Sequence, residues 1–357
     1  MSKTKGNVID PLEAIEEFGA DAVRFTLASA ASSGPTVSVE RGRMAGSRNF
    51  ATKLWNAARF TLAQLEPSGG ESEGPGDPAA IPAADLSLPD RWILARLSDA
   101  CGEVDRQLEA FRFDEAAGTI YGFLWHELCD GYLEMVKPVL SGGDAGRARA
   151  ARAVLRRCLT DALALLHPFM PFLTEEVWEK LTGRPGTLIV AAYPQPDPRW
   201  RGEDSREAVE AVEALRALVT RVRNFRTERG ASPTEPVALS VDPGSPDRSK
   251  IAALESLGPL LRHLARLPDL RFAPPGSGAV QDVVAGIRVG MELPRGAAGP
   301  SEARVEKARA EVDEEISRLT AKLHNVAYLA KAPAAVVEKA RLRLRELEAR
   351  RAALGPP

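Results

Sequence analysis

The sequence predicts a mainly α protein: a helical bundle, then a small α+β connector, then a C-terminal antiparallel coiled-coil hairpin. Three observations predict it. From Pro89 to Gly183 apolar residues recur at helical spacing almost without interruption. Beyond the proline-rich stretch Tyr193–Trp200 the period changes, and helical segments alternate with short strand-like runs. From Ser301 to Leu354 the apolar steps alternate between three and four, the repeat of two helices wound together.

Each element follows from local chemistry. Residues 1–35 read as a glycine-bearing loop followed by one helix, which Asp10-Pro11 starts with proline at its first position. A second helix spans Ala45 to Leu65, and residues 66–85, rich in Pro, Gly, Ser and Ala, read as a flexible surface loop. Trp92, Leu94, Leu97, Val104 and Leu108 mark the next helix. Ala116, Ile120, Phe123, Leu124, Leu128, Leu133 and Val136 mark another, which Pro138 should stop. Val154, Leu155, Cys158, Leu159, Leu163 and Leu166 make a helix ending at His167-Pro168, and Thr174 opens a short one towards Trp178 and Leu181. The connector, residues 201–299, should hold a helix over Arg206–Arg229 and strand-like Val237–Val241. A helix around Ile251–Leu267 and strand-like pieces near Leu270, Val280–Ala285 and Ile287–Leu293 complete it. Residues 300–357 form the hairpin, with its turn in Asn325–Pro333. The bundle takes residues 36–200.

Composition narrows the function classes. A formal net charge of −2 neither announces nor excludes nucleic acid, so the distribution of charge must decide. No apolar run approaches the roughly 20 residues that span a bilayer, and no charged-then-apolar leader opens the chain, so a cytoplasmic protein is expected. Cys101, Cys129 and Cys158 lie far apart inside apolar helical patterns and read as buried thiols, not as a disulfide framework or zinc site. His126, Cys129 and Asp130 fall at i, i+3, i+4, but with no fourth ligand they read as no metal site. Glu175–Glu176 and Glu16–Glu17 are adjacent and so point to different helix faces, which excludes an acid/base pair. His167 reads as a helix-terminal residue.

The sharpest local signal is Met1-Ser2-Lys3-Thr4-Lys5-Gly6-Asn7, two lysines in a small-residue loop, able to neutralise a polyphosphate or to stand as a solvated basic stretch. Its order resembles the KMSKS loop of class I aminoacyl-tRNA synthetases, with Thr4 where serine is usual and no leading lysine. Further along, Asp90-Arg91-Trp92-Ile93-Leu94-Ala95-Arg96-Leu97, Phe111-Arg112-Phe113-Asp114-Glu115-Ala116-Ala117 and Trp125-His126-Glu127-Leu128-Cys129-Asp130-Gly131-Tyr132-Leu133-Glu134 are similar to the anticodon-binding bundle of the valyl, isoleucyl and leucyl group. His167-Pro168-Phe169-Met170-Pro171-Phe172 is typical of it too. Ala330-Lys331-Ala332-Pro333-Ala334-Ala335-Val336-Val337-Glu338-Lys339 resembles the turn of the C-terminal coiled coil of the valyl type.

The resemblance covers nearly the whole chain, and what it implies can be stated. Lys3 is the catalytic lysine, and Ser2, Lys3 and Thr4 touch ATP, with Mg, in the intact enzyme. Nothing here matches the partner His-x-Gly-His signature, so this chain alone is expected to be inactive and to need no cofactor. The partner is tRNA(Val), no membrane is involved, and the protein is a monomer. The helix after the active-site loop should approach the anticodon. On it Asn49, Lys53, Asn56 and Phe60 lie at i, i+4, i+7 and i+11, offering amides, a cation and a stacking plane, with Arg59 beside them. The plainer reading puts Phe60 in the core. Lys339, Arg341 and Arg345 on the return arm should meet the tRNA backbone. The arginine clusters 147–157 and 216–229 either track phosphate or solvate a helix face. Two other readings stay open: a free-standing tRNA-binding or scaffolding protein beginning at Met1, and the same region of an isoleucyl enzyme.

Overall fold

The computed structural model describes residues 9–31, 40–65, 80–82, 85–183, 186–293 and 302–324, with Arg341, Leu344, Leu347, Glu348 and Arg351 beyond them. Ser2, Lys3, Thr4, most of the 66–85 loop, the Asn325–Pro333 turn, Lys339 and Arg345 lie outside the described residues. Helices dominate, with one four-stranded sheet.

Asp10 caps α1 (Pro11–Phe18), its carboxylate accepting the Leu12 N–H at 2.8 Å, and proline fills the first turn. The single helix expected here is two. Gly19, at φ 90, breaks it, and α2 (Ala20–Ala30) starts afresh. Helix α3 (Arg41–Leu65) begins four residues before the expected Ala45. Helix α4 (Leu88–Glu109) opens on a capping box in which Ser87 and Asp90 satisfy each other's backbone N–H.

The apolar run read as one helix stopped by Pro138 falls into three stretches with two hydrogen-bonding patterns. These are α5 (Phe113–Gly122), a π-helix over Phe123–Tyr132, and α6 (Leu133–Leu140), which contains Pro138. The proline sits in the last turn, so the helix loses little before ending on its own. Helices α7 (Ala145–Leu166) and α8 (Pro171–Thr182) follow, and Thr174 is buried inside α8 instead of opening it. Pro171 takes the first position, which its missing N–H suits. Then come α9 (Glu203–Glu228), β1 (Ala238–Val241), α10 (Arg248–Ser256) and α11 (Gly258–Ala265), the last two split at Leu257 where one helix was expected. Strands β2 (Asp269–Phe272), β3 (Val280–Val284) and β4 (Ile287–Glu292) precede α12 (Glu302–His324).

The chain divides into two compact units: Met1–Val219 with Asp242–Leu264 and Val283–Ile287, and Thr220–Val241 with Ala265–Asp282 and Arg288–Pro357. In the first, Trp92, Ile93 and Leu94 of α4 pack with Ile120, Leu124 and Tyr132 and with Leu155, Leu159 and Leu163 of α7, all fully buried. The Tyr132 hydroxyl donates to Asp90, which the interior encloses. Burial pushes the Asp90 carboxyl up, against the pull of its bonds to Ser87 and Tyr132. Gly131 fits closely there, since a Cβ would lie 3.0 Å from the Trp92 ring and the ring would have to give by a few tenths of an ångström. Asp21 and Arg24 tie α2 to the corner between α7 and α8. Asp21 accepts the Leu173 N–H at 2.6 Å, and Arg24 donates to the Pro168 carbonyl at 3.0 Å.

In the second unit the sheet runs β2-β1-β4-β3, with β1 parallel to β2 and antiparallel to β4. Leu239 and Val241 face Met291 and Val289 across that ladder, all buried. Helix α12 is about 34 Å long at 1.5 Å per residue over its 23 residues. Leu347 is buried and Arg351 meets Asp313 of α12 at 2.7 Å.

Candidate nucleic-acid interface

Helix α3 places its residues according to period. Met44, Ser47, Phe50, Leu54, Ala57, Ala58 and Thr61 are buried, and Phe50 stacks among Phe25 (centroids 5.2 Å apart) and Tyr121 (5.0 Å). The opposite side carries Asn49 and Asn56, both exposed. Lys53, between them, is half-buried: its Nζ lies 2.6 Å from Asp130 Oδ1 and 3.7 Å above the Trp125 ring. Trp125 stacks on Tyr121 at 5.4 Å with 19° between planes, and His126 meets Tyr121 edge-on at 5.9 Å. The face is therefore two amides, a caged ammonium and a stacked aromatic pair.

Phe60 is half-buried, with the Lys137 ammonium 5.9 Å from its ring centre. Arg59 is exposed but turns the other way, lining a cleft with Trp55, Leu62, Val177 and Lys180. So the structure brings Asn49, Lys53 and Asn56 together, adds Tyr121 and Trp125, and sets Arg59 apart. Tyr121 and Trp125 were not among the candidate residues, because helix period orders neighbours on one helix and does not say which helix Lys53 of α3 meets. Both rings are half-buried, Tyr121 at the end of α5 and Trp125 in the π-helix that follows it. Burial, then the Asp130 charge, raises the Tyr121 phenol above its usual range, so it stays neutral.

Cys101, Cys129 and Cys158 are buried and unbridged, and burial pushes Cys101 and Cys129 up to about 12, which leaves inert thiols. Among the described residues no three His, Cys, Asp or Glu side chains gather to hold a metal ion. His167 follows the end of α7 with Nδ1 2.8 Å from the Thr174 hydroxyl, and burial lowers its pKa against the nearby Glu175. In the 147–157 cluster, Arg152 donates to the Gln64 carbonyl at 2.9 Å and Arg157 to Asp161 at 2.6 Å. Arg341 of the arm is exposed. No helix among the described residues is long and apolar enough to cross a membrane.

Residues 90–241 match the model of the anticodon-binding domain of tRNA ligases, and residues 1–39 match that of class I tRNA synthetases of the I, L, M and V group. Residues 300–355 match the valyl tRNA synthetase tRNA binding arm. The chain belongs with the C-terminal portions of valyl-tRNA synthetases. It is 40% identical over 355 residues to the valine–tRNA ligase of Geobacter sulfurreducens, covering 97% of this chain and 39% of that protein. It is equally similar, at 40% over 361 residues, to that of Rhizobium meliloti, covering 99% of this chain and 36% of the relative. The chain thus spans about two-fifths of the length of the curated relatives it matches. Helix α3 falls between the two N-terminal synthetase matches, so its part in this valyl-type portion has to be argued from its geometry.

Proposed function

We propose that this chain is the tRNA-binding C-terminal part of a cytoplasmic valine–tRNA ligase, which in the intact enzyme attaches valine to tRNA(Val) using ATP and Mg. The observation that carries the reading is the valyl-type arm at residues 300–355, ending a chain similar to valine–tRNA ligases over nearly its whole length. Residues 1–35 then belong to the catalytic domain, 36–200 to the anticodon-binding bundle, 201–299 to a connector and 300–357 to the arm. Ser2, Lys3 and Thr4 are the residues this reading assigns to ATP. Lys3 offers fixed positive charge where phosphate charge builds up during valine activation. With no His-x-Gly-His signature in its 357 residues, this chain alone binds tRNA as a monomer without activating valine.

The bundle reads unstacked anticodon bases through Asn49, Asn56 and Phe60, with Lys53, Tyr121 and Trp125 as their platform and Arg59 towards the flanking backbone. Amides hydrogen-bond base edges and aromatic planes stack on base faces. The arm, through Lys339, Arg341 and Arg345, follows the backbone without reading sequence. The test is equilibrium binding of the full chain to tRNA(Val) and tRNA(Ile) transcripts. A preference for tRNA(Val) of at least about tenfold is expected, and equal affinity overturns the valyl assignment. Phe60→Ala should cost about 1–3 kcal/mol of tRNA affinity. A strongly lowered melting temperature with unchanged affinity per folded molecule would return Phe60 to the core.

A further inference from the structure

Five arginines crowd the second half of α9 and its end: Arg216, Arg221, Arg223, Arg226 and Arg229. The structure sorts them. Arg216 lies 2.8 Å from Glu213 and over the Trp92 ring at 5.2 Å. Arg221 donates to Asp282 at 2.5 Å and to Glu228 at 3.2 Å. Those two charges are taken.

Arg226 is different. It is 2% exposed, yet its guanidinium donates to two neutral acceptors, the Glu235 carbonyl at 2.7 Å and the Arg266 carbonyl at 3.0 Å. A buried cation is ordinarily held by a carboxylate, because desolvation is costly without one. Burial first, then the charges of Arg266 and Arg223, push its pKa down, against the pull of Glu235. A step of three residues sets Arg223 about 60° to one side of buried Arg226, and Arg229 follows the helix end at Glu228 with its guanidinium 5.4 Å from the buried Phe225 ring. Arg266, in a left-handed backbone at φ 52, is fixed to that side through its carbonyl. Arg223, Arg229 and Arg266 are exposed, and no acid pairs with them among the described residues.

We propose that Arg223, Arg229 and Arg266, braced by Arg226, form a phosphate-binding face that takes the sugar–phosphate backbone of a bound RNA. It rests on the reading that this chain binds tRNA and adds a third contact beside the bundle and the arm. Guanidinium forks match phosphate oxygens two by two. The aromatic nearby, Phe225, is buried under Arg229 and offers no plane to a base. Such a face positions the RNA and does not read its sequence. Arg226 is a positioning residue, holding Arg266 in place without touching the ligand.

The experiment measures binding of a tRNA(Val) transcript to the full chain over a range of salt concentrations. The triple variant Arg223→Ala, Arg229→Ala, Arg266→Ala should make log K less steep in log[salt] by about two to three units, at −0.7 to −0.9 per phosphate lost. Its affinity should fall by about tenfold or more near 0.1 M salt. Its melting temperature should hold, because the three side chains are exposed. The same three positions changed to Lys should restore the slope. Arg106→Ala with Arg112→Ala, two exposed arginines already paired with acids, should leave it unchanged. An unchanged slope in the folded triple variant, a slope that lysine does not restore, or an equal loss in the control pair would overturn the proposal. Phe60→Ala separates this proposal from the reading beneath it, since it should lower affinity without altering the slope. If the wild-type chain binds tRNA(Val) no better than poly(U), the tRNA reading fails. The phosphate face then stands only if the triple variant still flattens the poly(U) slope.

Discussion

The α3–π face and the α9 arginine face use positive charge in opposite ways. On the first, Lys53 is paired with Asp130 at 2.6 Å and caged over Trp125, so its charge is largely compensated before any ligand arrives. What remains is two exposed amides beside a half-buried aromatic pair. On the second, Arg223, Arg229 and Arg266 project with no acid against them among the described residues, above a buried Arg226 that is itself held by carbonyls. Compensated charge beside a flat ring favours reading bases, where directional hydrogen bonds and stacking decide. Uncompensated charge favours phosphate, where counterion release decides. The two faces therefore differ in what salt does to them.

The largest effect that can break this comparison is loss of the indole. Trp125→Ala should cost about 1–3 kcal/mol of tRNA affinity with an unchanged salt slope. If the slope changes as much as the affinity, the α3–π face is a phosphate site as well and the contrast collapses. Lys53→Met should do less. It removes a cation–π contact worth about 0.5–1 kcal/mol and an ion pair worth about 0–1 kcal/mol. Thermal melting should register that loss, while the slope moves by less than one phosphate's share. Asp130→Asn, a smaller change, should uncage the ammonium and steepen the slope by up to about one unit. No steepening would show that Lys53 was never neutralised by Asp130.

The smallest effect is a pH dependence outside both faces. His167 has its folded pKa lowered by burial beneath the usual value of 6.5. The unfolded chain then binds the proton first as pH falls, so the contribution is full above about 6.5 and is lost progressively below it. His167→Gln should flatten that acid limb of the melting curve. An acid limb identical to wild type would place the titration elsewhere.

How legible these regions were follows from their physics. Asn49, Lys53 and Asn56 share a face because helix period is a local property, and α3 keeps it over 25 residues. Tyr121 and Trp125 could not be assigned to that face. Their place there depends on which helix packs against α3, a long-range contact that no residue in the run announces. The α9 arginines were visible as a cluster, but not which were taken. Arg221 is neutralised by Asp282, 61 residues on, and Arg226 is held by carbonyls 9 and 40 residues on.

By itself, then, the sequence determined what depends on near neighbours. It set the mainly helical class, strand-like runs at Val237–Val241, near Leu270, at Val280–Ala285 and at Ile287–Leu293, the Asp10-Pro11 start, and the family through runs of residues that stand side by side. Tertiary structure decided the rest. It set the break at Gly19, the three stretches of residues 113–140, and the burial of Thr174. It also decided which cations remain unpaired. Helix propensity and capping act over one turn, whereas burial and charge compensation are settled by side chains that only folding brings together.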